Sequence, residues 1–297
     1  MPVPDCPDRL QPHGNNAWIE SMKKRLRNLI VTAIRLLGTT SWGEALLEAV
    51  LQDGMEKTKE VSTRGVSLWF TIPNRVNRFR AKSFSSKEPE TLDWIDQLPE
   101  GCTLWDVGAN VGLYSIYAAK KRRCRVVAFE PSVFNLELLA RNLFLNHLHE
   151  HVSLVPLALS DQLGSNQLRM TTTEWGGALS SFGQNFGWDG QTLDPTFSFP
   201  TMGISMDQAV SLLRLAPPEF IKMDVDGLEH IILRGAAKIL SRTRGILVEI
   251  NDGFRAQAEE ARRLLQGAGL TLKAKLHAPM IENSAFAQVH NQIWIRE

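Results

Sequence analysis

The stretch Thr103-Leu104-Trp105-Asp106-Val107-Gly108-Ala109-Asn110-Val111-Gly112 decides the fold. Its first five residues read as a short strand, and Gly112 to Lys120 reads as a helix. At the bend between them, Gly108 and Gly112 permit tight turning and let backbone come close to a ligand, beside N–H groups exposed at the helix start. Dinucleotide-binding folds use a closely similar device, so the turn alone leaves the bound molecule open.

Outward from this turn, apolar runs alternate with helix-like segments. Strands are expected at Thr103–Val107, Arg125–Glu130, Val152–Ala158, Glu219–Asp224 and Gly245–Ile250, with helices at Val133–Asn146, Glu229–Leu240 and Ala256–Gly267. Leu270–Lys275 and Gln292–Arg296 close the set as a terminal hairpin. Such alternation specifies an α/β fold, a mostly parallel sheet with helices on both faces. The segment from Thr171 to Pro200 carries Trp175, Phe182, Phe186, Trp188 and Phe197 among Gly, Asn and Asp, and is expected to be an irregular acceptor-side lid.

Candidate site residues sit where the strands end, the edge at which open α/β sheets bind ligands. Glu130 closes the second strand and can accept hydrogen bonds from both hydroxyls of a ribose. Asp161, after Leu159-Ser160, is a candidate partner for an adenine amino group, or else a turn former before Gly164. The fourth strand ends in Lys222-Met223-Asp224-Val225-Asp226-Gly227-Leu228-Glu229-His230, and strand alternation turns Lys222 and Asp224 to one face. Asp224 is the leading candidate for chemistry, with Lys222, His230 and Glu249 as its candidate partners or substitutes; Glu229 fits a first-turn helix acid. At the end of the fifth strand, Glu249, Asn251 and Asp252 adjoin Asp224, an oxygen-rich cluster of the kind that holds magnesium; Asp224, Glu249 and Asn251 are the expected ligands.

Asp106 to Gly112, Phe129-Glu130-Pro131, Leu159-Ser160-Asp161 and Ile221 to Glu229 together resemble the FkbM family of methyltransferases, in order and in spacing, over roughly residues 100–297. The resemblance implies a class I, Rossmann-like methyltransferase sheet of seven strands and S-adenosylmethionine as donor. It implies donor contacts at Asp106, Gly108, Asn110, Gly112, Glu130, Ser160 and Asp161, and O-methylation of a small acceptor such as a sugar or natural-product hydroxyl. One departure stands out: the family has Val-Glu-Gly where this chain has Val225-Asp226-Gly227, a shorter carboxylate. A nicotinamide-dependent oxidoreductase shares the glycine turn and the acid one strand on, but leaves the Asp161 turn and the Lys222–Glu229 motif without a role. A non-catalytic methyltransferase-like scaffold is the third reading.

With 33 Lys plus Arg against 32 Asp plus Glu, the 297-residue chain lacks the excess positive field of a nucleic-acid binder, and the Asn-Pro-Pro-aromatic pattern of base-amino methylation is absent. No run approaches a membrane span, and Cys6, Cys102 and Cys124 show no metal-ligand spacing or disulfide framework, which fits a reducing cytoplasm. Residues 1–17 read as a flexible tail, 18–99 as an N-terminal helical or extended region, and 100–297 as the methyltransferase domain. From Met22 to Leu37, apolar residues at helical spacing lie beside Lys23, Lys24, Arg25, Arg27 and Arg35. Packing of that stripe on the catalytic domain is the expectation, with peripheral membrane contact as the alternative; no cleavage signal follows it.

Overall fold

The computed structural model describes residues 15–277 and 284–297. The expected tail, residues 1–17, lies outside the described residues except for its last three, which open a helix. The chain divides into two compact units between Glu56 and Lys57. The first holds α1 (Asn15–Leu37) and α2 (Ser41–Glu56). The helical pattern breaks at Gly38-Thr39-Thr40, where the Thr40 hydroxyl accepts from the Gly43 N–H and so starts the second helix. Among the described residues, no helix is long and apolar enough to cross a membrane.

The second unit begins with a hairpin, β1 (Thr58–Thr63) and β2 (Val66–Thr71), and two helices, α3 (Arg75–Lys87) and α4 (Pro89–Asp96). Then come β3 (Thr103–Val107), α5 (Leu113–Arg122), β4 (Arg125–Phe129), α6 (Val133–Leu145), β5 (Val152–Val155), β6 (Ala158–Ser160), β7 (Gly164–Met170), β8 (Ser181–Phe182), β9 (Phe197–Ser205) and α7 (Met206–Leu213). The chain continues through β10 (Phe220–Met223), α8 (Glu229–Arg234), α9 (Ala237–Leu240), β11 (Gly245–Asn251), α10 (Arg255–Gly267), β12 (Thr271–Leu276) and β13 (Val289–Ile295). The main sheet has seven strands in the order β12-β13-β11-β10-β3-β4-β5. β11, β10, β3, β4 and β5 run parallel, and β13 lies antiparallel between β12 and β11.

Both faces of the sheet are buried at its central strands β11, β10, β3 and β4, which is why these are nearly continuous apolar runs rather than alternating ones. In β3 and β4, Leu104, Val126 and Ala128 face a core built with α3 to α6. Trp105, Val107, Val127 and Phe129 face the other, built with α7 to α10.

Three sequence expectations are corrected by packing. The strand expected at Val152–Ala158 divides at Pro156-Leu157, and its second part, β6, leaves for another sheet. The helix expected at Glu229–Leu240 breaks at Gly235, where a Cβ would lie 2.7 Å from the Ser160 carbonyl oxygen and from the Ser205 Cβ. The stretch around 171–200 is not wholly irregular: β7, β8 and β9 form, with β6, a four-stranded sheet ordered β6-β9-β7-β8. Phe182, Leu168 and Met170 pack from it against Leu228 and Ile231.

The division drawn at residue 99 cuts through a shared core. Leu68, Phe70, Phe84, Leu92 and Ile95 are buried in one cluster with Leu104, Ile116 and Tyr117. The β1–β2 hairpin is also stitched to α6: the backbone N–H groups of Trp69 and Thr71 donate to the side-chain carbonyls of Asn146 (3.0 Å) and Asn142 (2.7 Å). Phe84→Ala should therefore cost about 3–5 kcal/mol in urea unfolding. A chain beginning at residue 100 should fail to unfold cooperatively, whereas one beginning at residue 57 should do so; a cooperative transition in the shorter chain would return the boundary to residue 99.

Candidate functional site

A cavity of about 400 Å³ opens along the carboxyl ends of the central strands. Sheet order sets its lining in sequence. Leu157 and Leu159, beyond β5, lie at one end, followed by Phe129 and Glu130 after β4, Gly108 and Asn110 after β3, Asp224 and Asp226 after β10, and Glu249 on β11. A hollow of about 50 Å³ adjoins it, lined by Lys222, Tyr114, Lys87 and Glu88.

The glycine turn is built for close approach between strands. Gly108 has φ +79°, and a Cβ there would lie 1.9 Å from the Asp224 carbonyl oxygen, so glycine lets the ends of β3 and β10 touch. Gly112 (φ +83°) is also left-handed, but a side chain there would run into Leu139 of α6; it serves helix packing and does not line the cavity. Asn110 takes φ +50°, a conformation asparagine tolerates. Its N–H donates to Glu130 Oε2 (2.8 Å). Glu130 Oε1 accepts from the Ser132 N–H (2.9 Å) and Asn135 Nδ2 (3.4 Å). Burial pushes the Glu130 carboxyl up to about 7, against the pull of these three donors.

At the β10 end, Lys222 is 2% exposed. Its ammonium lies 3.3 Å from Asp224 Oδ2, 3.6 Å from Asp106 Oδ1 and 5.1 Å from the Tyr114 ring centroid. Burial works to raise the Asp224 carboxyl, but the fields of Lys222 and Lys87 outweigh it and hold the group below its ordinary range. Glu249 is the opposite case: burial, then the Asp224 charge, pushes it well up. Asp106 is buried, takes a 2.6 Å bond from the Ser115 hydroxyl, and lines neither hollow; it supports Lys222 from below.

Glu229 proves to be the clamp of the turn after β10. It is 1% exposed and accepts from the N–H groups of Val225 (2.9 Å) and Gly227 (3.1 Å) and from Gln257 Nε2. Burial pushes it up to about 8.

Other expected site residues lie elsewhere. Ser160 and Asp161 adjoin Gly235, Asp161 is exposed, and neither is among the cavity lining, although Ala158 and Leu159 just before them are. His230 is buried against the rings of Phe186 and Phe254, outside the lining, and burial lowers its imidazole pKa. Asn251 donates from Nδ2 to the Trp188 carbonyl (3.1 Å) and accepts from the Gly253 N–H (2.9 Å), so the structure does not join it to Asp224 and Glu249 as a metal ligand. Among the described residues, no group of three or more His, Cys, Asp or Glu is arranged to hold a metal ion.

Sequence reasoning missed the asparagine cage around the Trp175–Gly177 turn. Asn74 and Asn77 donate to the Trp175 carbonyl, Arg80 to the Gly176 carbonyl, and Asn110 (2.7 Å) and Asn135 (3.1 Å) to the Gly177 carbonyl. Asp226 adds a bond from the Leu179 N–H (2.7 Å), and burial pushes its carboxyl up to about 6. The segment read as an acceptor-side lid is thus fastened at its start to Asn110 and Asn135, the residues that bind Glu130. No local signal marks this cage, since its members are up to about a hundred residues apart.

Glu130 and Glu229 carry folded-state pKa values raised above those of the unfolded chain. Between about pH 5 and 8 the folded protein therefore holds protons the unfolded chain has lost, and stability must fall as pH rises. The thermal midpoint of the ligand-free protein should drop across that interval; a flat or rising midpoint would remove these buried protons.

The chain matches the methyltransferase FkbM domain over residues 106–272, more than half its length. It is 24% identical over 213 residues to the hexuronic acid methyltransferase AglP of Haloferax volcanii, covering 70% of this chain and 79% of that one. A stretch of 72 residues is 36% identical to methyltransferase sdnD of Sordaria araneosa, covering 24% of this chain and 28% of that one. Among solved structures, precorrin-6y C5,15-methyltransferase from Geobacter metallireducens superposes with a TM-score of 0.42 at 14% identity, over 71% of this chain and 87% of that one. The glycine turn, the strand-end acids and the matched domain agree: the chain belongs to the FkbM methyltransferase family.

Proposed function

We propose that this protein transfers a methyl group from S-adenosylmethionine to a hydroxyl of a sugar or other small natural-product acceptor. The observation that carries the reading is the cavity itself. Its lining includes the carboxyl groups of Glu88, Glu130, Asp224, Asp226 and Glu249 against two cations, Arg80 and Lys87. The positive charge of a sulfonium donor would favour the ionised forms of the raised carboxyls Glu130, Asp226 and Glu249, whereas the two phosphates of a dinucleotide would oppose their ionisation. The rest of the lining fits as well. Phe129, Leu157, Leu159 and Leu168 offer apolar surface for a purine, and Glu130 keeps acceptor capacity for ribose hydroxyls.

Bound S-adenosylmethionine supplies an electrophilic methyl group open to in-line attack by an oxygen. The chain's part is to hold that oxygen in line and accept its proton. We assign the proton acceptor as Asp224, which Lys222 keeps ionised and fixed. Glu249 shares the cavity on the neighbouring strand and shapes the same end. The sugar reading is supported by the similarity to a hexuronic acid methyltransferase over most of the chain.

Calorimetric titration should give saturable binding of S-adenosylmethionine and none of NAD; the reverse would overturn the assignment. Asp224→Asn keeps the shape and hydrogen-bonding capacity beside Lys222 while removing the charge. Its kcat on a sugar acceptor should fall about a hundredfold or more, with donor affinity within about threefold of the parent. Full turnover in that variant would move proton acceptance elsewhere. Asn135→Ala, by loosening Glu130 and the Gly177 turn together, should weaken donor binding; unchanged donor affinity would show that the turn is irrelevant to that end.

A further inference from the structure

The N-terminal helices carry a surface that methyl transfer does not use. More than half of the exposed large apolar side chains among the described residues fall between Met22 and Leu51. At 100° per residue, Met22, Leu26, Leu29, Ile30 and Leu37 occupy one sector of α1 about 100° wide. All five are exposed, Leu29 by 68%. Lys23 and Arg25 flank this sector on its two sides, and Lys24, Arg27 and Arg35 occupy the opposite face. No acid occurs between Glu20 and Glu44. Trp42, 73% exposed, follows at the start of α2.

We propose that α1 docks this protein on an anionic phospholipid surface. An apolar sector bounded by cations is what a helix needs to lie in the plane of a bilayer: the apolar side chains sink below the headgroups while the long basic side chains reach up to the phosphates. The exposed Trp42 indole belongs at that same depth. A second copy of the chain is the competing cover, because α2 carries Glu44, Glu48, Asp53 and Glu56 and no cation. The lipid is favoured because α1's cations border its apolar sector on both sides. A single acidic helix laid on that sector would satisfy one border only.

The test is co-sedimentation of the full chain with phosphatidylcholine vesicles, with and without phosphatidylglycerol, alongside light scattering without vesicles. The protein should pellet with the anionic vesicles only, and added salt should release it. Lys23→Gln with Arg25→Gln should lower partitioning about thirtyfold, two surface cations' worth. Leu26→Glu with Ile30→Glu should abolish it. Both variants should keep the parent's melting curve, because all four side chains are exposed. A parent protein that stays in the supernatant overturns the proposal. If it also scatters as a dimer that Leu26→Glu with Ile30→Glu dissolves, a second copy covers the face; if it is monomeric, the catalytic unit does.

Discussion

A lysine ammonium held out of water between two carboxylates is the constraint on which the candidate site depends. Lys222 has almost no exposure, and burying such a charge is tolerable only where partners replace its hydration. Asp106 on β3 and Asp224 after β10 supply the counter-charges, and the Tyr114 face of α5 covers the remaining side. The ammonium therefore ties two adjacent strands and the helix above them at the level of the cavity floor. Asp106 is taken up by Lys222 and Ser115 beneath the site, while Asp224, 30% exposed, is the member that reaches the cavity. Gly108 completes the arrangement, because only a residue without a side chain lets the turn after β3 rest on the Asp224 carbonyl.

This arrangement separates the carboxyl groups of one cavity into two kinds. Asp224 stays ionised beside its lysines, whereas Glu130, Asp226 and Glu249, without a cation in contact, are all pushed up by burial. Environments that drive acids apart allow one group to stay charged while burial favours the protonated form of its neighbours. The donors around Glu130 serve a second purpose. Asn110 and Asn135 each bond both Glu130 and the Gly177 carbonyl, so the proposed ribose site and the turn over it share one hydrogen-bond network. Movement of the turn must change the Glu130 environment.

The main sheet was legible because parallel strands buried on both faces leave unbroken apolar runs, and because the glycine turn and Glu130 stand at fixed places on their strands. The second sheet was not. β7 begins Gly164-Ser165-Asn166-Gln167 and β9 begins Phe197-Ser198-Phe199-Pro200, half-exposed strands with composition that reads as loop. Their pairing is decided by tertiary contact. Asp161 and His230 were placed by proximity in sequence to residues that do line the cavity. The break at Pro156 sends the segment before Asp161 into the second sheet, and His230 is taken up by Phe186 and Phe254. The hairpin at 58–71 joins the core through Asn142 and Asn146, more than seventy residues away, a distance no local pattern spans.

The two ends of the cavity differ in where their residues come from. Gly108, Asn110, Phe129, Glu130, Leu157 and Leu159 all fall within residues 106–272, the span matched by the FkbM domain. Arg80, Lys87 and Glu88 come from α3 and its cap, and Phe286, Val289 and Asn291 from the last strand and the approach to it, all outside that span. The proposed donor is one molecule, and a single set of strand ends suffices to hold it. Acceptors differ in shape and charge, and their contacts must come from elements free to differ without disturbing the Lys222 ion cluster. Arg80 lies at the junction of these demands: it lines the cavity and also donates two bonds to the Gly176 carbonyl, so a change there alters both the charge beside Asp224 and the turn tied to Glu130.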